Sequence, residues 1–376
     1  MSVLHICCNF GDSKAFCQLF RMLGEGGLAQ QVYVPEKRAA DMGKHALDAE
    51  GIPTHYSLIV KPWDRALYYT KAMRAVPDLC ARVPLAQVTL VHAHTLFTDG
   101  GIAYRLHRTR GLPYVVSVRY TDVEYFYRYM PHLRGHALAV LQAARQIVFI
   151  SPAHRDAVLS RYVPAAARTA LAAKCSVVPN GIDPAWLDGT ARTWTPGEPL
   201  RVAFAGKLIR VKQPARAMEA VQALQALMPG ERVTLHVAGA GPLAESLRTH
   251  PAVRAGQAVL HGRLEGMDAL KAFYDAAHLF LLPSTAETFG LVYLEAMSRG
   301  LPVLYTRGQG FDGQFPEGEV GFAVDPQSPQ DMARAALRAL EGYAARSQRC
   351  VAVAATLPWQ ATAERMRAVY ARALTA

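Results

Sequence analysis

Pro283-Ser-Thr-Ala-Glu-Thr-Phe-Gly-Leu-Val-Tyr-Leu-Glu-Ala-Met-Ser-Arg-Gly-Leu-Pro302 follows the apolar run Leu279-Phe-Leu-Leu282. Four consecutive apolar residues closed by a Pro-Ser turn read as a strand buried on both faces. Gly290 then opens a helix that runs to Arg299. A buried strand that passes through a polar turn into a helix is the repeating unit of a mostly parallel sheet. Glu287 stands just ahead of the helix and Glu295 in its second turn. Exposed N–H groups at Thr288, Phe289, Gly290 and Leu291 would form an anion site at the helix N-terminus. Taken alone, the two glutamates also fit a plainer reading, one stabilising the helix start and the other lying on a solvated face.

The same alternation extends in both directions. Ahead of the boundary, residues 3–8, 31–34, 88–92, 114–118, 146–150 and 175–179 read as strands, with helices at 99–110, 133–145 and 154–162. Residues 183–199 break the pattern with Pro184, Gly189, Pro196, Gly197 and Pro199, which marks a linker. Beyond it, strands are expected at 201–205, 233–238, 259–261, 279–282, 302–305 and 322–324. Helices are expected at 214–227, 242–249, 267–276, 290–299 and 329–345, with a last amphipathic helix at 359–374. The expected fold class is α/β: two Rossmann-like α/β/α domains, 1–182 and 200–358, with parallel sheets facing across a cleft and the last helix, 359–376, packing back on the first. In such sheets ligands bind at the carboxyl ends of the strands.

The composition of the 376 residues, 51% hydrophobic and 19% charged, is that of a water-soluble globular chain. No apolar run reaches the roughly 18–20 residues of a membrane-spanning helix. The N-terminus has no basic start or cleavage-site pattern and reads as a first strand, so a cytoplasmic protein is expected. The six cysteines show no C-x-x-C pair and no zinc spacing, which favours free thiols over disulfides or metal ligands. A net charge of +11 calls for an anionic partner. No zinc-finger spacing, basic zipper or RNP-like strand is present, so nucleic acid is not the expected one.

With this setting, the 283–302 string resembles retaining glycosyltransferases of the GT-B fold, the group that includes sucrose synthases and many bacterial polysaccharide and lipid glycosyltransferases. Their signature of two glutamates separated by seven residues matches Glu287 and Glu295, with Glu-Ala-Met and Gly-Leu-Pro following. Val178-Pro-Asn-Gly-Ile-Asp183 resembles the family's end of the first domain. Phe204-Ala-Gly-Lys-Leu-Ile-Arg-Val-Lys212 resembles the segment whose two basic side chains grip the donor diphosphate. Lys212 falls on the second position and Lys207 replaces the usual arginine at the first, which keeps charge and loses the bidentate fork. Val237-Ala-Gly-Ala-Gly-Pro242 resembles the Gly-x-Gly-Pro turn, with Gly239 and Gly241. Leu260-His-Gly-Arg-Leu264 resembles the segment along the nucleotide base, where Arg263 and Leu264 would lie.

The resemblance implies a nucleotide-sugar donor, a UDP- or GDP-sugar, bound as substrate with no other cofactor. It implies a saccharide or lipid-linked acceptor and a role in cell-surface polysaccharide or glycolipid synthesis. Glu287 would orient the donor sugar, Glu295 hold the ribose, and Lys207 and Lys212 stabilise the leaving diphosphate. The acceptor hydroxyl would pass its proton to a leaving phosphate oxygen. No Asp-x-Asp metal motif is present, so no metal is expected. On the acceptor side, His94 in Val91-His-Ala-His94 and Asp122 in Val116-Ser-Val-Arg-Tyr-Thr-Asp122 would contribute. Arg119 stands where the family has histidine and could bind an acidic or phosphate-bearing group. The first turn, Asn9-Phe-Gly-Asp-Ser-Lys14, departs from the family's glycine pair. Gly11 would still permit close approach to phosphate, with Ser13 and Lys14 at the helix start, although an ordinary N-cap explains the same residues. Aromatic and basic residues alternate at 61–71 and 120–129, as suits carbohydrate stacking, peripheral contact with the inner face of the membrane, or a basic-rimmed core. Two other readings share the pattern: a nucleotide-sugar epimerase, and a non-catalytic carbohydrate- or membrane-binding subunit.

Overall fold

The computed structural model describes residues 1–12, 14–65 and 68–375. It divides into two units. One comprises Met1–Ile150, His154–Asn180 and Trp359–Ala376; the other comprises Ser151–Ala153 and Gly181–Pro358.

The first unit is built on a seven-stranded, all-parallel sheet. Its strands are β1 (Ser2–Ile6), β2 (Ala29–Pro35), β3 (Thr54–Ser57), β4 (Leu90–Ala93), β5 (Tyr114–Val118), β6 (Gln146–Phe149) and β7 (Cys175–Val177), in the order β3-β2-β1-β4-β5-β6-β7. Alternate side chains of one strand enter opposite layers. Leu4 and Ile6 join Leu79, Ile102, Leu106 and Val140 on the face covered by Tyr68–Arg82, Thr98–Arg110 and Arg134–Ala143. Val3, Val32 and Leu90 join Phe20, Leu23, Met366 and Tyr370 on the face covered by Lys14–Glu25 and Trp359–Thr375. Because both faces are buried, the strands read as apolar runs without alternation.

The second unit repeats the plan with β8 (Leu200–Ala205), β9 (Val233–Ala238), β10 (Ala258–Gly262), β11 (Leu279–Leu282), β12 (Val303–Thr306) and β13 (Gly321–Val324), in the order β10-β9-β8-β11-β12-β13. In each unit the winding reverses once, between β1 and β4 in the first and between β8 and β11 in the second. Loops diverge at that point and leave a crevice at the strands' carboxyl ends.

Several elements differ from expectation. Strand β3 and the helices Tyr68–Arg82 and Tyr343–Ala355 were not expected, whereas the helix anticipated after the first turn runs from Lys14 to Glu25. The helix expected at 329–345 ends at Leu340, because Gly342 adopts the left-handed conformation (φ +63°) and a new helix starts at Tyr343. Residues 183–199 do not behave as a free linker. The Arg192 guanidinium donates to the carbonyls of Tyr274 (3.1 Å), Ala277 (2.6 Å) and Asp275, and Asp188 pairs with Lys271 (2.8 Å) and Arg299 (2.5 Å). Buried acceptors at the end of a helix demand donors, and the proline-rich stretch supplies them. All six cysteines are free thiols. Among the described residues, no helix is long and apolar enough to cross a membrane.

Candidate active site

The reversal point of the second unit gathers most of the donor-side residues. Two backbone loops meet there at a spacing that excludes side chains. Leu208 donates its N–H to Ala240 O (2.9 Å), and Leu243 donates to Leu208 O (3.0 Å). A Cβ on Gly239 would lie 1.9 Å from Gly206 O, and one on Gly241 would lie 2.5 Å from Leu208 O. These glycines therefore fix the loop that carries Lys207, which is itself exposed.

The loop ends in the tight turn Arg210–Lys212 and Gln213, a residue in the left-handed region (φ +52°). Its neighbour across the reversal point is the loop after β11. Thr285 N–H (2.8 Å) and the Ser284 hydroxyl (3.2 Å) both donate to Val211 O. This register places Lys212 Nζ 2.5 Å from Glu287 Oε2, with only 19% and 11% of the two side chains exposed. The Glu287 main chain is held on both sides: its N–H donates to Gln309 Oε1 (3.0 Å), and its carbonyl accepts from Gly310 N–H (3.0 Å). Gly310 is glycine because a Cβ there would lie 1.8 Å from Thr288 O.

The next three backbone amides, Thr288, Phe289 and Gly290, find no acceptor among the described residues. They precede the helix Leu291–Ser298, where Leu291 is the first residue and Gly290 (φ +79°) the left-handed cap. Open amides at a helix N-terminus, beside Lys212, make an anion-binding geometry. Phe289 is buried and anchors the loop near Phe311.

Glu295 lies in the second turn of this helix and accepts from the Tyr274 hydroxyl at 3.2 Å. Burial raises its pKa to about 7, only partly offset by that hydrogen bond. Arg263 and Leu264 follow β10, two strands from β8 and so about 10 Å across the sheet. Arg263 is exposed and reaches only Glu265, at 3.6 Å, a pairing of little energetic weight at such exposure.

In the first unit the reversal point holds Gly11 and His94. Gly11 lies in the turn Phe10–Asp12, and a Cβ there would meet Glu36 Oε1 at 3.5 Å, an ordinary contact, so the protein itself does not require glycine. Ser13 lies outside the described residues, and Lys14 begins the helix. His94 is fully buried. Its Nε2 meets His5 Nδ1 at 3.0 Å, and its ring lies 4.0 Å from that of His92. His5 also bonds Gln30 (3.1 Å), and His92 bonds Tyr370 and Ser117 (2.8 Å each). Ring nitrogens of the three histidines lie within 4.8 Å of one another. The hydrogen bonds account for every one except His94 Nδ1, which has no partner among the described residues. Burial drives all three pKa values down, so the cluster is a neutral hydrogen-bonded core.

Asp122 is likewise inward. Its two oxygens accept from the amides of Leu96 (2.9 Å), Phe97 (3.1 Å) and Arg119 (2.8 Å), which ties β5 to the loop after β4. It begins a six-residue π-helix, Asp122–Tyr127. The side chains of His94 and Asp122, expected on the acceptor side, are thus both buried, His94 against His5 and Asp122 on the amides of the loop after β4.

Residues 192–354 match the family model described as Glycosyl transferases group 1, and residues 17–186 match Glycosyltransferase Family 4. Each half of the chain thus matches a glycosyltransferase family model. It is 34% identical over 183 residues to the D-inositol 3-phosphate glycosyltransferase of Acidothermus cellulolyticus, an alignment covering 46% of this chain and 41% of that relative's length. Its fold resembles that of Anabaena Alr3699/HepE in complex with UDP, with a TM-score of 0.72 at 17% identity, covering 99% of this chain and 100% of that one. It also resembles the sucrose-phosphate synthase of Thermosynechococcus elongatus, with a TM-score of 0.71 at 20% identity over 99% and 98% of the two chains. The fold is GT-B, carried by the two parallel sheets.

The structure brings Lys212, Glu287 and the open amides of 288–290 together, and it holds Lys207, Gly239 and Gly241 on the facing loops. The sequence reading missed Gln309, Gly310 and Tyr274, which position the two glutamates. Gln309 and Gly310 carry no spacing signal, since they act from the loop after β12. Tyr274 is indistinguishable in sequence from any core tyrosine.

Proposed function

We propose that the chain is a retaining, metal-independent glycosyltransferase that moves a sugar from a UDP- or GDP-sugar to a saccharide or lipid-linked acceptor in cell-surface polysaccharide or glycolipid synthesis. The observation that carries the reading is the Lys212–Glu287 pair at the β8/β11 reversal point, beside the open amides of 288–290. The diphosphate would lie on these amides and on Lys207, and would draw Lys212 away from Glu287. The released Glu287 carboxylate would then accept hydroxyls of the donor sugar. As the sugar leaves, charge builds on the diphosphate, where fixed amides and lysines stabilise it without a metal. The acceptor hydroxyl attacks from the same face and passes its proton to a leaving phosphate oxygen. The base would lie toward Arg263 and Leu264, and the ribose toward Glu295. That the Anabaena structure holds UDP supports the donor class. The test is turnover of UDP- and GDP-sugars followed by proton NMR. Release of nucleoside diphosphate with an α-configured sugar product from an α-linked donor is expected. Accumulation of an inverted nucleotide sugar without nucleotide release would favour an epimerase instead.

A peripheral membrane position fits the first unit. Trp63 (54% exposed), Tyr69 (53%), Met73 (54%) and Tyr129 (63%) are large apolar groups left in solvent. The two aromatic stretches meet through Tyr68 and Phe126, with ring centroids 6.5 Å apart; residues 66 and 67 lie outside the described residues. Exposed Lys61 and Arg128 accompany them. Aromatics with cations suit the headgroup layer of an anionic bilayer.

A further inference from the structure

We propose that Arg119 is the specificity-determining residue for the acceptor, and that its free guanidinium edge binds a carboxylate or phosphate carried by the molecule that receives the sugar. This rests on the glycosyltransferase reading above. Arg119 directly follows β5 on the carboxyl edge of the first sheet, one strand from the β1/β4 reversal point. Three contacts immobilise it. Its backbone N–H donates to Asp122 Oδ2 (2.8 Å), its Nε donates to His94 O (3.2 Å), and its guanidinium carbon lies 5.2 Å from the centre of the Phe16 ring. These contacts occupy the inner edge and one face of the group. The outer edge, Nη1 and Nη2, has no hydrogen bond or ion pair with any described residue, and neither atom belongs to the sealed polar groups.

Structural arginines elsewhere in this chain behave differently. Arg134 places Nε and Nη2 on Tyr127 O, Arg192 places both amino groups on backbone carbonyls, and Arg299 forks onto Asp275 while also reaching Asp188. Each of these uses the terminal donors for which arginine is suited. Arg119 alone in this comparison is held rigid with both terminal donors open. The acids nearby attract it but do not pair with it. Asp122 directs its oxygens to three amides, and Asp99 accepts from Cys8 N–H (3.1 Å); neither forms an ion pair with Arg119. Burial disfavours the Arg119 charge more than Asp122 and Asp99 favour it, and a half-buried cation with no ion pair among the described residues gains from an incoming anion. A pre-oriented pair of N–H donors fits two oxygens of one oxyanion side by side.

The test is calorimetric titration of the full chain with glucose 6-phosphate, glucuronate and glucose, for the wild type, Arg119→Gln and Arg119→Lys, with UDP and GDP titrated in parallel. The wild type should bind at least one anionic probe about tenfold or more tighter than glucose, the difference expected of one charge-assisted contact pair. Arg119→Gln should abolish that preference, Arg119→Lys should retain only part of it, and nucleotide affinity should be the same in all three. Preference for the phosphate or for the carboxylate identifies the oxyanion. Equal binding of charged and neutral probes by the wild type, or an undiminished preference in Arg119→Gln, overturns the proposal. Should Arg119→Gln fail to fold, a full preference in folded Arg119→Lys overturns it as well. Loss of UDP and GDP binding in every variant would instead count against the glycosyltransferase reading.

Discussion

Glu295 and Lys212 show how burial sets the behaviour of single residues. The carboxyl of Glu295, raised from 4.5 to about 7 by desolvation, holds a proton in the folded protein that the unfolded chain would have lost. Its contribution to stability is therefore complete below about pH 4.5 and is lost as pH rises through about 7. Replacement by Gln removes this slope. The stability of Glu295→Gln relative to wild type should rise between pH 4.5 and 7 and level off above, as measured by urea unfolding at stepped pH; a difference independent of pH would contradict the placement. The Lys212–Glu287 pair is a different case, neither fully solvated nor sealed. Lys212→Ala leaves Glu287, only 8% exposed, without its cation. The expected cost, between the surface and buried limits, is about 1–3 kcal/mol in denaturant unfolding. Glu287→Lys, which places like charges in contact, should cost at least as much. The glutamate pair and the lysine pair were legible in sequence because the spacing within each pair is fixed by a single strand-turn-helix unit, after β11 for the first and after β8 for the second. The partners Gln309 and Tyr274 were not, because contact between distant loops leaves no periodic trace. Arg119 was visible as a departure, and only its anchoring contacts reveal which of its donors are open.

At the scale of elements, the loops after β8 and β9 depend on two missing side chains. Gly239→Ala combines a Cβ 1.9 Å from a carbonyl oxygen with a backbone angle of +153°, so the loop must move. A loss of about 2–4 kcal/mol is expected, together with weakened nucleotide binding as Lys207 shifts. Gly11→Ala meets nothing closer than 3.5 Å and should leave the unfolding midpoint unchanged. A matching destabilisation at both sites would contradict this distinction, and circular-dichroism melting of the two variants decides it. The buried strands of both sheets were readable as apolar runs bounded by turns. Strand β3, Thr-His-Tyr-Ser at the sheet edge and mostly half-buried, carries no such run. The helix Tyr68–Arg82 contains Pro77, which lacks a backbone donor and reads as a helix breaker. The split near Gly342 depends on one residue's left-handed conformation, which an uninterrupted helical pattern conceals.

For the whole molecule, the proposed membrane face rests on the exposed aromatics of the first unit together with the +11 charge. Sedimentation with phosphatidylglycerol–phosphatidylcholine vesicles should recover the wild type at low salt, and the triple variant Trp63→Ser, Tyr69→Ser, Tyr129→Ser should remain in solution. Equal recovery of both would contradict the membrane face. The strand order 3-2-1-4-5-6, shared by the two units and extended by β7 in the first, explains why the site could be anticipated at all: it fixes where loops diverge before any side chain is considered. The central claim is that the β8/β11 reversal point binds the nucleotide diphosphate of the donor. Calorimetric titration of UDP and GDP into the wild type, Lys212→Ala and Glu295→Ala tests it most directly. One of the two nucleotides should bind the wild type at one site per chain, with affinity lowered about tenfold or more in each variant, as loss of a charge-assisted contact requires. Binding of neither nucleotide, or equal affinity in all three proteins, would contradict it.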